Sequence, residues 1–383
     1  MNISDLRLPA RQAKASAGPK RGSFDLPFFV LTLLLLTIGV IMVLSSSFAR
    51  AYAQGKSPTY YFVRQAAFAV AGVVAMILLS KVRMVTYRRL SLLVLGVSIF
   101  LLAVVWIPHI GTRVNGARRW LSLGFTTFQP SEIAKIAVVL FFSSMICTYK
   151  EQMQTFRYGV VPFMVVTVII VGLLMLEPHL SASIIIMALA IVMMFVGGIK
   201  LSYLLVGMGS AGALLLIASK FVPYVHKRIV SWRDPFADTS AAGYQIVQSL
   251  YSIGSGGFLG LGLGQSRQKY LYLPEEHNDY IFSIVCEELG AIAILILFAL
   301  LICRGYWIAA HSPDRYSFLV GIGITTLLSI QVFLNIAVVT NLIPCTGISL
   351  PFFSYGGTAL LMQLGEMGII LSISRDIPTK KAR

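Results

Sequence analysis

The sequence predicts an all-α integral membrane protein: a polytopic bundle of about ten transmembrane helices, with one large extracytoplasmic loop between the seventh and eighth spans. Composition is the first reason, since 57% of the 383 residues are hydrophobic and only 12% are charged. Pattern is the second. The chain carries repeated apolar runs of the roughly 18–20 residues needed to cross about 30 Å of hydrocarbon. These runs lack the polar/apolar alternation of a membrane β-barrel. In lipid every backbone polar group must be satisfied internally, so such runs fold as helices.

Residues 1–24 place Arg7, Arg11, Lys14, Lys20 and Arg21 among Ala, Gly, Ser and Pro, which reads as a disordered basic tail. Apolar runs follow at about 25–47, 62–80, 90–108, 132–149, 158–176, 181–199, 201–221, 280–303, 316–342 and 354–373. The membrane domain is therefore expected over 25–374, and 375–383 form a second basic tail. The first run is too long for the apolar segment of a cleavable signal. Cys147, Cys286, Cys303 and Cys345 stand singly, so neither a disulfide framework nor a structural zinc site is expected.

An even number of spans puts both termini on one side. With that side cytoplasmic, the inner loops hold Lys81, Arg83, Arg88, Arg89, Lys150, Arg157, Lys200, Arg304 and Arg315. The C-terminal tail adds Arg375, Lys380, Lys381 and Arg383. This is the distribution the positive-inside rule requires, and it accounts for the net charge of +16 without nucleic acid. Two outer loops break the pattern. Residues 109–131 contain Arg113, Arg118 and Arg119, and 222–279 contain Lys227, Arg228, Arg233, Arg267 and Lys269. Some outer charge merely solvates a loop, but grouped cations at a membrane surface also suit an anionic ligand such as phosphate.

The long loop 222–279 has two further features. Around Gly243–Ile253 it can form an amphipathic helix with Ile246, Val247, Leu250 and Tyr251 on one face. The glycine run 254–264 resembles a nucleotide fingerprint only superficially, since no strand precedes it. Close-packed or flexible backbone is the expected role.

Few acids lie where solvation is cheap. Glu132 and Lys135 stand three apart at the start of the fourth span, so a helix pairs them on one face. Glu287 and Glu288 are expected two turns below Asp279 on the eighth span, roughly 12 Å deeper at helical rise. Glu366 falls midway along the tenth span, and Glu177 at the outer end of the fifth. Intramembrane ionisable residues mark function unless they are structural pairs, and both readings stand here. Asp279 is the last acid of the segment Arg267–Ser283, a polar stretch in an apolar chain. There it can be an ordinary helix N-cap or a working carboxylate beside Glu275, Glu276, His277 and nearby cations.

The motifs are specific. They are Gly116-Ala-Arg-Arg-Trp-Leu-Ser-Leu-Gly124, Gln129-Pro-Ser-Glu-Ile-Ala-Lys135, Arg228-Ile-Val-Ser-Trp-Arg-Asp-Pro235, Gly243-Tyr-Gln, Gly262-Leu-Gly-Gln-Ser-Arg-Gln-Lys269, Leu273-Pro-Glu-Glu-His-Asn-Asp279 and Pro351-Phe-Phe-Ser-Tyr-Gly-Gly357. With them the chain resembles the SEDS family (shape, elongation, division and sporulation) from about residue 25 to 377. The wording around Gly262–Pro274 and Glu177-Pro-His-Leu-Ser-Ala resembles its division type more than its elongation type, while the sporulation type is too similar to separate. Cys345 and Ser372 are small departures.

The resemblance implies a peptidoglycan glycosyltransferase of the bacterial cytoplasmic membrane, acting at the division septum. It would polymerise lipid II into glycan strands at the outer face, beside a class B penicillin-binding protein and other divisome proteins. It implies Asp279 as the catalytic residue and the Glu132–Lys135 pair as functionally needed. Arg119, Arg228, Gln248, Lys269, Glu275 and His277 are the candidate contacts to pyrophosphate and sugar. No metal ligand is assigned, and no cofactor is required beyond room for a divalent cation (Mg or Mn) at the pyrophosphate. Two rivals remain: a lipid II flippase using Glu132, Lys135, Glu287, Glu288 and Glu366 as a polar path, and a non-catalytic scaffold of the divisome.

Overall fold

A computed structural model describes residues 22–107, 110–114, 117–122, 124, 126–209, 212, 223–237 and 241–378. The chain order is α1 (Leu26–Ala53), α2 (Tyr60–Leu79), α3 (Met84–Val105), β1 (Gly111–Val114), β2 (Ala117–Ser122), β3 (Thr127–Phe128) and α4 (Pro130–Tyr149). Then come α5 (Val161–Leu176), α6 (Leu180–Gly197), α7 (Pro223–Arg233), α8 (Ala241–Gly256), α9 (Ile281–Leu289), α10 (Ala291–Ala310), α11 (Arg315–Val339) and α12 (Gly357–Ser374). Nine helices among the described residues are long and apolar enough to cross a membrane. The expected seventh span, 201–221, is helical over 201–209, and most of its remainder lies outside the described residues. So do residues 1–21 and 379–383 of the two expected tails.

Burial separates the bundle into centre and rim. In α4 and α12, 72% of the spanning window is buried, and in α11 67%, against 22% in α2 and 28% in α3 and α10. The central helices therefore carry side chains that face protein, and the rim helices carry Val, Leu and Phe that face lipid. The two ends of the bundle meet on one face. Asp25 caps α1 through Phe28 N (2.9 Å), accepts from Arg304 Nε and Nη2 (3.0 and 2.6 Å), and donates its own N–H to Ser374 Oγ (3.0 Å).

The opposite face is more elaborate than the sequence predicts. Residues expected as plain loop form a three-stranded antiparallel sheet in the order β1-β2-β3. The expected eighth span, 280–303, is two helices. It breaks at Gly290, where φ is 76° and ψ is 157°, a conformation open essentially to glycine alone. The break lets the glycine-rich strap pack against the end of α9. Leu261 N donates to Glu287 O (2.8 Å), and Gly262 N donates to Glu288 O (2.9 Å). A Cβ on Gly290 would also meet the backbone of Phe258 and Leu259. Gly290→Ala is expected to destabilise the protein by about 1–3 kcal/mol from backbone strain alone. A lowered thermal unfolding temperature in detergent would register it, and an unchanged one would refute this account of the break.

Splitting the span decides between readings that the sequence left open at two places. Asp279 is not a helix N-cap: Tyr280 holds that position before α9, with no side-chain capping bond. Glu287 and Glu288 do not line a polar path either. Glu287 accepts from Ser252 (2.9 Å), Ser266 (2.6 Å) and Arg267 N (3.0 Å). Glu288 accepts from Ser45 (2.7 Å), Gly264 N (2.9 Å) and Lys269 Nζ (2.9 Å). These buried carboxylates anchor the strap, because an ionised group out of water needs this many donors.

Candidate active site

A cavity of about 650 Å³ opens where β2, the starts of α4 and α6, the 275–279 segment and the 347–358 segment converge. Each wall has a local cause. Pro130 at the first turn of α4 fixes the helix start, and two residues on Glu132 faces the cavity with Lys135. Their ion pair measures 2.8 Å, and both side chains are buried. Removing two charges from water is unfavourable unless they stay paired, so the pair fixes the cavity floor. Glu366, buried on α12, lies within electrostatic reach of both.

Asp279 forms part of the rim. Asn335, fully buried on α11, holds its main chain by donating from Nδ2 to Asp279 O (2.8 Å) and to Ile348 O (2.6 Å). One amide thus ties the Asp279 segment to the opposite wall. That wall fits closely: a Cβ on Gly347 would lie 3.1 Å from Asp279 Oδ2, and φ there is +72°, so space and backbone both call for glycine. Ser181 donates to the carbonyls of Thr346 and Gly347 and holds the wall from the α6 side.

Burial, followed by the neighbouring Glu275 charge, pushes the Asp279 carboxyl up to about 6; Arg119, Arg228 and His277 pull it the other way. Burial also raises Glu177 to about 8 against Arg119, and lowers His179 to about 3, with Arg119 and Lys135 adding to that shift. Both are neutral near pH 7. Arg119 donates from Nε to Glu177 O (3.4 Å) and from Nη2 to Pro178 O, which fixes the guanidinium beside the cavity.

Of the site residues expected from sequence, Asp279, Glu275, Arg119, Glu132 and Lys135 line the cavity. Four do not. Lys269 is buried in the strap, its Nζ on Glu288 Oε1 (2.9 Å), Gly264 O (2.7 Å) and Ser45 Oγ (3.2 Å), which uses all three donors. Arg228 donates to Cys345 O, so it braces the 345–349 wall, and its charge is felt at Asp279. His277 is buried behind the rim, with its ring 4.8 Å from Tyr61 and 5.8 Å from Tyr355. Gln248 is half-buried on α8, away from the cavity lining. Glu276, expected as a supporting carboxylate, is a structural anchor: Arg50 holds it through two 2.7 Å bonds. Burial alone would raise Glu276, but the nearby His277 ring (Nδ1 at 3.7 Å) and the hydrogen bonds from Arg50 outweigh it and hold the carboxyl below its usual range.

The sequence reading missed Arg64, Gln129, His179, Gln331 and Asn335. Gln331 and Asn335 had a signal, being two amides four residues apart on one face of an apolar span. Arg64 and Gln129 had none, because polar residues at span ends are ordinary. Among the described residues no group of three or more His, Cys, Asp or Glu is placed to hold a metal ion.

Comparison with known proteins gives one consistent answer. Residues 25–378 match the family described as cell cycle proteins, spanning FtsW, RodA and SpoVE. The chain is 42% identical over 363 residues to stage V sporulation protein E of Bacillus subtilis, covering 93% of this chain and 98% of that one. It is 37% identical over 364 residues to a probable peptidoglycan glycosyltransferase FtsW of Trichlorobacter lovleyi, covering 92% and 94%. Its fold is similar to a chain in a peptidoglycan synthase complex that coordinates polymerization and crosslinking (TM-score 0.78, 27% identity, 93% and 99% covered). It is also similar to the rod shape determining protein RodA of Thermus thermophilus (TM-score 0.69, 26% identity, 93% and 98% covered).

Proposed function

The chain belongs to the FtsW, RodA and SpoVE family of cell cycle proteins, and from that membership we propose that it is a membrane-embedded peptidoglycan glycosyltransferase that polymerises lipid II. One observation carries the chemical part of this reading. A carboxylate raised to about 6, Asp279, borders a cavity that also holds Arg119 and Lys135.

That arrangement suits a lipid pyrophosphate donor. Pyrophosphate departs without protonation, so the glycosidase requirement for a general acid and a second flanking carboxylate falls away. One base suffices. Asp279 takes the proton from the incoming sugar hydroxyl as that oxygen attacks the anomeric carbon, and the carbon–pyrophosphate bond breaks. Direct displacement inverts the carbon, giving a β-linked glycan from an α-linked donor. Arg119 and Lys135, preorganised at the cavity wall and floor, stabilise the negative charge that develops on the leaving group. A divalent cation such as Mg or Mn would enter with the pyrophosphate and share Glu275, since hard cations of this kind are held by few carboxylates plus phosphate. We place the site at the outer face of the bacterial cytoplasmic membrane at the septum, with both termini cytoplasmic. We assign a class B penicillin-binding protein and other divisome proteins as partners. Similarity to a chain of a synthase complex supports that pairing.

The reading is tested by supplying purified lipid II to the chain reconstituted with a class B penicillin-binding protein. Glycan polymer is the expected product. Lipid II translocation across sealed vesicles with no polymer formed would replace this proposal with the transport one.

The pH profile gives a second test. A base with its carboxyl near 6 predicts a rate that climbs about tenfold per pH unit below that value and levels above it. An ordinary Asp would already level near pH 4. Stability moves the opposite way. Between about pH 4 and 6 the native state holds this proton and the unfolded chain does not, so the group's contribution to stability declines as pH rises through that window. A rate already flat at pH 5 would contradict the assignment.

A further inference from the structure

Phe258 and Leu259, at 80% and 87%, are the two most exposed large apolar side chains among the described residues. Neither lies on a membrane-crossing helix. They form the turn that leaves α8, and their backbone is fixed in place. Gly260 N donates to Gly256 O (2.9 Å), the next two amides bond the end of α9, and a Cβ on Gly290 would sit 2.9 Å from Leu259 Cα. A rigid turn that presents two large apolar groups outward needs something apolar to cover them.

Two independent measures place this turn against lipid. The first is the neighbouring helix. Gly290 immediately precedes α10, whose first turns expose Ile292, Leu295 and Ile296, so the lipid-facing surface begins beside Phe258 and Leu259 and is continuous with them. The second is depth. The adjoining Glu288 carboxylate is bonded to Ser45 of α1 (2.7 Å), which lies roughly 28 Å along that helix from its start at 1.5 Å per residue. Hydrocarbon is about 30 Å thick, so both measures put the turn at the boundary of acyl chains and headgroups. Aromatic and aliphatic side chains anchor proteins at that boundary.

We propose that residues 257–259 are a lipid anchor. Phe258 and Leu259 insert into the leaflet on the Asp279 side and hold the 260–279 loop at a fixed depth. The inference concerns lipid contact and does not depend on the reaction assigned above. A polyprenyl-linked substrate would, however, present its reacting carbon at this level.

Phe258→Trp and, separately, Leu259→Trp in the full-length protein test it, reconstituted in phosphatidylcholine vesicles. The added tryptophan emission is taken as the difference from the parent, which has four tryptophans. Both positions are open enough to accept the larger ring. The expected result is blue-shifted emission, quenched by brominated phosphatidylcholine and more strongly when the bromines lie near the headgroup end of the chain. Emission typical of water, quenched by aqueous iodide and not by brominated lipid, would overturn the proposal. So would shielding from iodide that appears only on adding a penicillin-binding partner, which would make the turn a protein interface.

Discussion

Asp279→Asn is expected to abolish glycan polymerisation from lipid II while leaving the fold and the assembly with a penicillin-binding partner intact. The side chain stays the same size, and Asn335 grips the main chain of residue 279 rather than its carboxylate, so the local structure has no reason to move. What is lost is the proton acceptor. General-base catalysis contributes on the order of 10²–10⁴-fold, and a carboxamide cannot substitute at any pH, so the residual rate should also lose its dependence on a group near 6. Single-turnover polymerisation with saturating lipid II is the measurement, because it isolates the chemical step. A variant that polymerises at the parental rate would remove Asp279 from the mechanism. One that loses rate but keeps the same acidic limb would assign that limb to another group, with Glu275 next on the cavity wall.

The second large effect is expected at the cavity floor. Lys135→Met leaves Glu132 and Glu366 buried together without their cation. Removing one partner of a buried pair destabilises by roughly 3–5 kcal/mol, because an uncompensated charge stays behind. Glu132→Gln should be milder, since Lys135 keeps a second carboxyl group, Glu366, within electrostatic reach. Combining Glu132→Gln with Lys135→Met should be less damaging than the sum of the two, as coupled neighbours require. Denaturant unfolding in detergent micelles checks all three. Equal losses for the two single changes would mean that Glu366 takes no part, and strict additivity in the double would mean that Glu132 and Lys135 are not coupled. Polymerisation should fail in Lys135→Met even where folded protein is recovered, since that change also removes a cation facing the leaving group.

The sequence shows where the charges are few, and this was enough to find part of the site. Glu132 and Lys135 were legible because three residues on a helix means one face. Asp279 and Glu275 stood out as acids in a polar stretch of an apolar chain, and Arg119 stood with Arg113 and Arg118 in a loop where the positive-inside rule expects no cations, the family resemblance then selecting Arg119. The same logic failed for Lys269 and Arg228. A cation in that loop can serve a ligand or the loop itself, and composition does not distinguish the two. Only the position of Glu288 shows that Lys269 is committed to the strap, and only the 345–349 wall shows what Arg228 braces. His277 misled for a similar reason: adjacency to Asp279 in sequence put it behind the rim, not in the cavity.

Hydropathy by itself determined that this is a helical membrane protein of many spans, because lipid permits no other treatment of so many apolar backbones. Helical spacing also marked the Glu132–Lys135 pair, whereas the choice of Asp279 within its polar stretch came from the family resemblance. Tertiary structure decided the rest. It broke the expected eighth span at Gly290, a position that hydropathy cannot mark because both sides of the break are apolar. It turned two expected intramembrane acids, Glu287 and Glu288, into anchors of the glycine strap. And it brought Asn335, Ser181 and Gly347, distant from residue 279 in sequence, around Asp279. Periodicity along a chain reports which face of a helix is buried. It carries no information about which other helix that face will meet.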